Sequence, residues 1–454
     1  MPLILSGNVA SATAAVGYDV ANSCRFNYAD SAYLTRTFGS AGNRRTWTFS
    51  TWCKRSKFGA QQTLFGTSSG SGTYHLFYWG SDESLSHNFS GANVSTSYYR
   101  DIGAWYHVVC AVDTTQGTAA NRVKLYVNGV QLGTGTYPDE DAEMILNDAV
   151  RCDVGSSGAH YTSHMCGHYL AETVFIDGTQ YAASDFGEFD SDSPTIWKPK
   201  DVSELTFGTN GFYFDYEDSG TLGNDANGGT DWTATNLAAT DQSTDTPTNN
   251  FATWNSLFRK GTTTPAFAEA NLTATFDDGG ANEFALTTFG VNTGKWYAEV
   301  KWTSNTGTAA TATGILDMAY TGTDDPNNAV TNAFGYFGSG TKNVSGTASS
   351  YGDSYTDGDI ISLLINCDDN ELIFQKNGTS QASGAAIDIV AGVTYGIFAT
   401  DYNSKVAELN TGSPSTAFSI SSGNADANGY GNFEYAVPSG YFALCTKNLA
   451  EHGG

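Results

Sequence analysis

From Trp105 to Gly133 the chain alternates apolar and polar positions with a period of two. Tyr106 to Val112 is an aromatic and β-branched run, Asp113 to Asn121 has turn chemistry, and Val123, Leu125 and Val127 alternate with Lys124, Tyr126 and Asn128. Successive side chains of a strand point to opposite faces, so the pattern predicts two strands with one face buried and the other wet. Asn128-Gly129 supplies the two positive-φ residues of a tight hairpin, and Val130 to Leu132 starts the returning strand.

The same logic extends along the chain. Asn22 to Phe38 reads as opening strands, and Trp47 to Lys57 as a strand with Trp47, Phe49, Thr51 and Cys53 on one face. Gln62 to Gly66, Tyr74 to Trp79 and Ser84 to Phe89 add three more, and Glu172 to Phe189 reads as a closing strand with its exit. A second series comprises Glu283 to Phe289, Lys295 to Trp302, Gly314 to Tyr320, Phe334 to Phe337, Ile360 to Asn366, Glu371 to Lys376, Tyr395 to Ala399 and Val406 to Asn410; Asn377-Gly378 repeats the hairpin device. Between the two series, Ile196 to Leu257 is rich in Gly, Asn and Thr, with aromatics as its only anchors. That composition predicts an ordered connector strapped over a domain. The expected fold is all-β: an N-terminal arm or edge strand at 1–20, a sandwich at 21–195, the connector at 196–264 and a second sandwich at 265–454.

W-Y-H-V at Trp105 to Val108, followed by Asp113 and L-Y-V-N-G at Leu125 to Gly129, resembles the central hairpin of laminin-G-like (concanavalin A-like) domains over roughly residues 20 to 200. GKWYAEVKW at Gly294 to Trp302 and GDIISLLINCDDNELIFQKNG at Gly358 to Gly378 resemble SPRY-type domains. The resemblance implies two tandem concanavalin A-like or jelly-roll sandwiches. Together with Asn22 to Asn27, Tyr33 to Thr37, the connector and Val437 to Leu449, the pairing resembles bacteriophage structural proteins.

Composition agrees with many short strands and turns: 454 residues carry 51 Gly, 26 Phe, 25 Tyr and 9 Trp. The length suits two to four domains. With 47 acidic against 21 basic residues the net charge is −26, which argues against a nucleic-acid partner. MPLILSGNVASATAAVG lacks a basic n-region and a long apolar core, so export by a signal peptide and membrane insertion are disfavoured. Seven cysteines without framework spacing are expected as buried, reduced thiols.

The candidate chemistry is sparse. GTSSG at Gly66 to Gly70 matches a nucleophile-elbow pattern, yet strand rather than helix follows it. Glu188, Asp190 and Asp192 alternate as a laminarinase-type carboxylate set would, but run into Ser193-Pro194 and read as an exit loop. His164, Cys166 and His168 would share one face of a strand and offer nitrogen and sulfur to zinc. The laminin-G-like resemblance implies calcium as a candidate cofactor, with Asp113 where one ligand would fall. Tyr98, Tyr99, Arg100 and Tyr161 sit in loop-like sequence and are the candidate carbohydrate contacts, since sugar rings stack on aromatic side chains.

The resemblance implies a non-enzymatic structural protein of a tailed-phage virion: a fibre, spike or surface decoration on the particle exterior. Expected partners are other virion proteins, a host surface glycan and further copies of the chain, with a trimer favoured. The alternative is a secreted carbohydrate-binding module or laminarinase-type glycoside hydrolase.

Overall fold

The computed structural model describes residues 17–70, 73–89, 91–158, 164–258, 264–277, 283–303, 311–401 and 405–453. It is nearly all-β, with two compact units dividing between Thr248 and Asn249.

Among the described residues the first unit has eighteen strands: β1 (Ser23–Phe26), β2 (Tyr33–Thr37), β3 (Thr46–Arg55), β4 (Gln62–Gly70), β5 (Thr73–Trp79), β6 (Ser84–Phe89), β7 (Ala92–Tyr98), β8 (Trp105–Asp113), β9 (Val123–Val127), β10 (Val130–Leu132), β11 (Thr134–Gly135), β12 (Arg151–Val154), β13 (His168–Asp177), β14 (Gly187–Phe189), β15 (Trp197–Pro199), β16 (Phe212–Phe214), β17 (Thr233–Thr235) and β18 (Gln242–Ser243). Two sheets face each other. One runs β10-β9-β8-β3-β13-β1-β18 with β16 beside β13, and the other β11-β7-β6-β5-β4-β12-β2-β17. Their inner faces meet in one core. β3 contributes Trp47, Phe49 and Cys53, β8 contributes Tyr106, Val108, Cys110 and Val112, β9 contributes Val123, Leu125 and Val127, and the opposite sheet contributes Phe65, Phe77, Leu85 and Phe89. Each such side chain adds on the order of 2 kcal/mol by leaving water.

The expectation of a wet outer face on β8 and β9 is overturned. Val109, Ala111 and Tyr126 lie under a second apolar layer of Ala183, Phe186, Val202, Phe207 and Tyr213. The chain after β13 folds back over this sheet, so both faces of β8 are buried. The stretch 196–264 contributes elements to both units. β16 pairs with β13, β17 with β2 and β18 with β1, while Trp254 bridges Thr287 in the second unit. Of the arm at 1–20, residues 1–16 lie outside the described residues; Tyr18 hydrogen-bonds Glu172 and Tyr213, and Val20 N–H donates to Thr248 Oγ1.

In the second unit a nine-stranded sheet centred on Lys295–Thr303 and Ile360–Asn366 packs on a six-stranded sheet centred on Tyr395–Asp401 and Ala312–Asp317. Val300 and Trp302 of one sheet and Ile315, Ile397 and Ala399 of the other share its core. Glu299, on the opposite face of the Lys295–Thr303 strand with Tyr297, is fully buried and accepts from Tyr297 Oη, Asn410 Nδ2 and the N–H groups of Glu434 and Tyr435. Asn377 and Gly378 both take positive φ at their turn, as do Asn128 and Gly129. All seven cysteines are free and buried. No helix among the described residues is long and apolar enough to cross a membrane.

Candidate functional site

The partly exposed polar surface of the first unit is the outer face of the β11-to-β17 sheet. Registration fixes which residues share it. Asn93 pairs with Asn88, Asn88 with Leu76, Leu76 with Gly66, Gly66 with Asp153, Asp153 with Thr35 and Thr35 with Thr233, so one transverse row crosses seven strands. A neighbouring row carries Ser95, Ser86, Tyr78 and Thr63. Tyr33, Thr35, Tyr74, Tyr78, Asn88 and Asn93 are half-buried.

Tyr78 is the centre of a neutral network. Asn93 Nδ2 donates to its hydroxyl at 3.1 Å. Burial pushes the Tyr78 hydroxyl pKa up, and hydrogen bonds with Asn93, Asn88 and Ser86 oppose that shift. Further along, Arg151 grips the buried Asp153 through two contacts of 2.8 Å, Thr35 Oγ1 donates to the same carboxylate, and the guanidinium lies 5.3 Å from the Tyr33 ring centroid. The face therefore offers tyrosine rings, amides and hydroxyls, with the Arg151–Asp153 charge pair neutralised. On the inner side of the same strands a cavity of about 270 Å³ is lined by His75, Phe89, Tyr137, Asp139, Glu143 and Met144. Burial, with Arg44 nearby, holds His75 neutral with a pKa of about 3, and its Nδ1 has no hydrogen-bond partner.

The residues expected from sequence separate. Tyr98 pairs with Ser84 at one end of this outer face, is 63% exposed, and has Arg100 5.4 Å from its ring centroid. Tyr99 turns the other way and packs edge-on against Trp79 and Tyr106, so it is a half-buried packing residue. Tyr161 lies outside the described residues. The metal candidates do not assemble. Residues 164–167 precede β13 rather than belonging to it, Cys166 is in the core and His168 is fully buried beside Arg55. Burial, then the Arg55 charge, drives the His168 pKa well below the ordinary imidazole range.

Asp113 organises its own turn: its carboxylate accepts from Thr46, Thr115 and Gln116. Partial burial raises its pKa, but the hydrogen bonds from Gln116, Thr115 and Thr46 outweigh that and hold it low. Among the described residues no three His, Cys, Asp or Glu side chains gather to hold a metal ion.

The outer face of the other sheet holds polar groups that pattern-reading missed. Ser50 Oγ lies 2.8 Å from His107 Nε2, and Trp197 Nε1–H donates to His107 Nδ1 at 3.0 Å. Because Nδ1 accepts, the ring proton resides on Nε2 and is donated to Ser50, so this His is not a base toward that serine. Both are buried, and burial lowers the His107 pKa to about 3. Glu188 and Asp190 both face Lys198, and Asp190 also caps Asp192 and Ser193 N–H. The GTSSG stretch lies in β4 and leads to β5 rather than to a helix.

The signal for the Tyr78 network is period-two spacing: Tyr74 and Tyr78 on β5, Asn93 and Ser95 on β7. The Asn93-to-Tyr98 run has too few apolar residues to stand out as a strand.

Residues 27–158 match the family model described as the concanavalin A-like lectin/glucanases superfamily, of laminin-G type. No curated protein matches the sequence. Among solved structures the chain is similar to the SPRY domain of human HERC1, at 19% identity over 33% of this chain and 91% of that one, with a TM-score of 0.26. It is also similar to a Bacteroides ovatus protein whose own assignment as carbohydrate-binding is provisional, at 14% identity over 48% of this chain and 58% of that one, with a TM-score of 0.36.

Proposed function

We propose that the first unit binds glycans and that the chain is not an enzyme. The observation that carries this reading is the outer face around Tyr78, where half-exposed tyrosines stand among neutral amides and hydroxyls. A sugar ring lays its C–H face on an aromatic ring while its hydroxyls exchange hydrogen bonds with Asn, Ser and Thr. Tyr74, Tyr78, Asn88 and Asn93 are the central contacts, with Tyr98 and Arg100 at the rim. The His75 cavity has room for a single ring and is a secondary site on the same reading.

Non-catalysis is supported by the fate of the carboxylates. A glycosidase needs two of them flanking a cleft. Glu188 and Asp190 instead share Lys198. A glycan array probed with the intact chain tests binding, and a reducing-end assay on the glycans retained tests turnover. Binding weakened in Tyr78→Ala and no sugar release is the expected result. No binding, or release abolished by Glu188→Gln, rejects the reading.

The setting we propose is the exterior of a tailed-phage particle, with other virion proteins as partners and a homotrimer as the assembly. Its support is the phage-like pairing of the two resemblances with the aromatic connector, and a net charge of −26 that disfavours nucleic acid. The second unit is the SPRY-like member of that pairing. Electron microscopy of particles lacking this chain is expected to show missing exterior density, and unchanged particles with normal adsorption reject the setting.

A further inference from the structure

Four outer-face side chains align across the first sheet. Arg25 of β1 pairs with Tyr169 of β13, Tyr169 with Lys54 of β3, and Lys54 with Trp105 of β8. Two of the four are cations, and all are buried. The end of the unit covers them. Arg25 Nη2 donates to Thr240 O at 2.7 Å, and Asp241 lies 3.9 Å from Arg25 Nε. Lys54 Nζ is 2.6 Å from Asp245 Oδ2, and both side chains are 1% exposed. Trp105 Nε1–H donates to the other oxygen, Asp245 Oδ1, at 3.0 Å. Ser23 Oγ donates to Asp245 O, and Asp245 N–H donates to Ser243 Oγ, so the backbone of Asp245 is fixed as well.

We propose that Lys54 and Asp245 are a self-modification site, at which the amine and the carboxyl condense into an intramolecular isopeptide bond. The arrangement is that of an amide-forming centre. A lysine amine faces one oxygen of a carboxyl whose second oxygen is held by an indole N–H, in a place from which water is excluded. The Tyr169 ring centroid lies 5.6 Å from Nζ, and Trp105 packs against Tyr169. Burial pushes the Lys54 amine toward its neutral, nucleophilic form, against the opposing pull of Asp245. A second carboxyl, Asp101, acts on Lys54 through its field, and burial raises its pKa.

The step balances without a co-reactant. Lys54 passes one proton to Oδ2, and its lone pair attacks Asp245 Cγ. The charge that develops on Oδ1 is met by the Trp105 N–H, the role of an oxyanion-hole donor. A second amine proton then passes from Nζ to Oδ2, 2.6 Å away in the starting pair. The Cγ–Oδ2 bond then breaks, Oδ2 leaves as water with the electron pair, and the Nζ–Cγ amide remains. An ammonium and a carboxylate become a neutral amide and water, with no oxidation or reduction. The driving force is the burial itself, since two charges held away from water carry a desolvation cost that an amide does not. The bond would tie the C-terminal end of β3 to residue 245, closing most of the unit into one covalent loop.

The proposal is independent of glycan binding, and intact-mass spectrometry of the purified full chain tests it. The expected mass is one water below that of the sequence. A tryptic digest is expected to yield a branched species joining residues 46–55 to 201–259, because cleavage after a linked Lys54 is blocked. Lys54→Arg keeps the charge but removes the amine, and is expected to show the full mass. Trp105→Phe removes the N–H that meets Oδ1 and is expected to retain the thermal transition while losing water more slowly after refolding. Full mass in wild-type protein that unfolds cooperatively overturns the proposal. So does water loss that persists in Lys54→Arg, which would assign it to an aspartate cyclising elsewhere.

Discussion

Glu172 interrupts the pairing of β13 with β3, where the register shifts between Ala171 and Val174, and takes a φ of 49°. Its buried carboxylate accepts from Tyr213 Oη at 2.8 Å and Tyr18 Oη at 3.1 Å. Burial raises its pKa from 4.5 to about 7, with the two tyrosine hydrogen bonds opposing. A carboxyl with a raised folded pKa favours folding fully below its unfolded pKa, and that contribution is lost as pH rises through about 7. The first unit is therefore expected to lose on the order of 3 kcal/mol between pH 5 and 8 from this group. Glu172→Gln is expected to flatten that dependence in thermal melts; an unchanged slope refutes the assignment. At the outer face, Tyr78→Ala is expected to weaken glycan binding about tenfold, near 1.4 kcal/mol, while lowering the melting temperature less than Tyr99→Ala does. Calorimetric titration with an array-positive glycan measures it, and Tyr99→Ala separates the roles. Tyr99 packs on Trp79 and Tyr106, so its loss should lower stability and spare affinity.

Among the elements, the hairpin between β9 and β10 does more than reverse the chain. Gly129 has a φ of 80°, and a Cβ there would lie 2.4 Å from the Trp197 ring. That ring stacks with His107 and meets Phe189 edge-on, so it has little room to retreat. Gly129→Ala combines backbone strain with a clash and is expected to cost about 2 kcal/mol, lowering the melting temperature by roughly 4–8 °C. An unchanged melting temperature means that the β14–β15 hairpin is not seated on this turn. The strands β16, β17 and β18 fill positions beside β13, β2 and β1. A chain ending at residue 195 leaves those edges open and strips Phe212, Phe214 and Trp232 from the core.

At the scale of the whole molecule, that loss predicts where the chain divides into folding units. Residues 17–248 expressed alone are expected to unfold in one cooperative transition, whereas 17–195 is expected to aggregate or remain unfolded. Circular dichroism melts of the two fragments measure this, and a cooperative melt from the shorter one shows the later strands to be dispensable. The net charge of −26 opposes compaction through self-repulsion, so added salt is expected to raise the melting temperature modestly.

Local alternation determined the all-β class, the faces of β3 and β9, and both Asn-Gly turns, because a strand's period and a turn's backbone are set by a few consecutive residues. The exposure of Tyr98 and Arg100 was legible for the same reason, since a tyrosine and an arginine ending a polar run have few apolar neighbours to bury them. Tertiary structure alone decided the rest. Tyr99 and Tyr98 are adjacent in sequence, yet one faces the core and the other solvent, which depends on the register of β7 against β6. The outer face of β8 reads as wet until residues 183–213 fold over it. Lys54 and Asp245 stand far apart in the chain, and nothing near either one announces the other. Their meeting follows from β18 pairing with β1, a non-local contact whose stability comes from the core beneath it rather than from its own sequence.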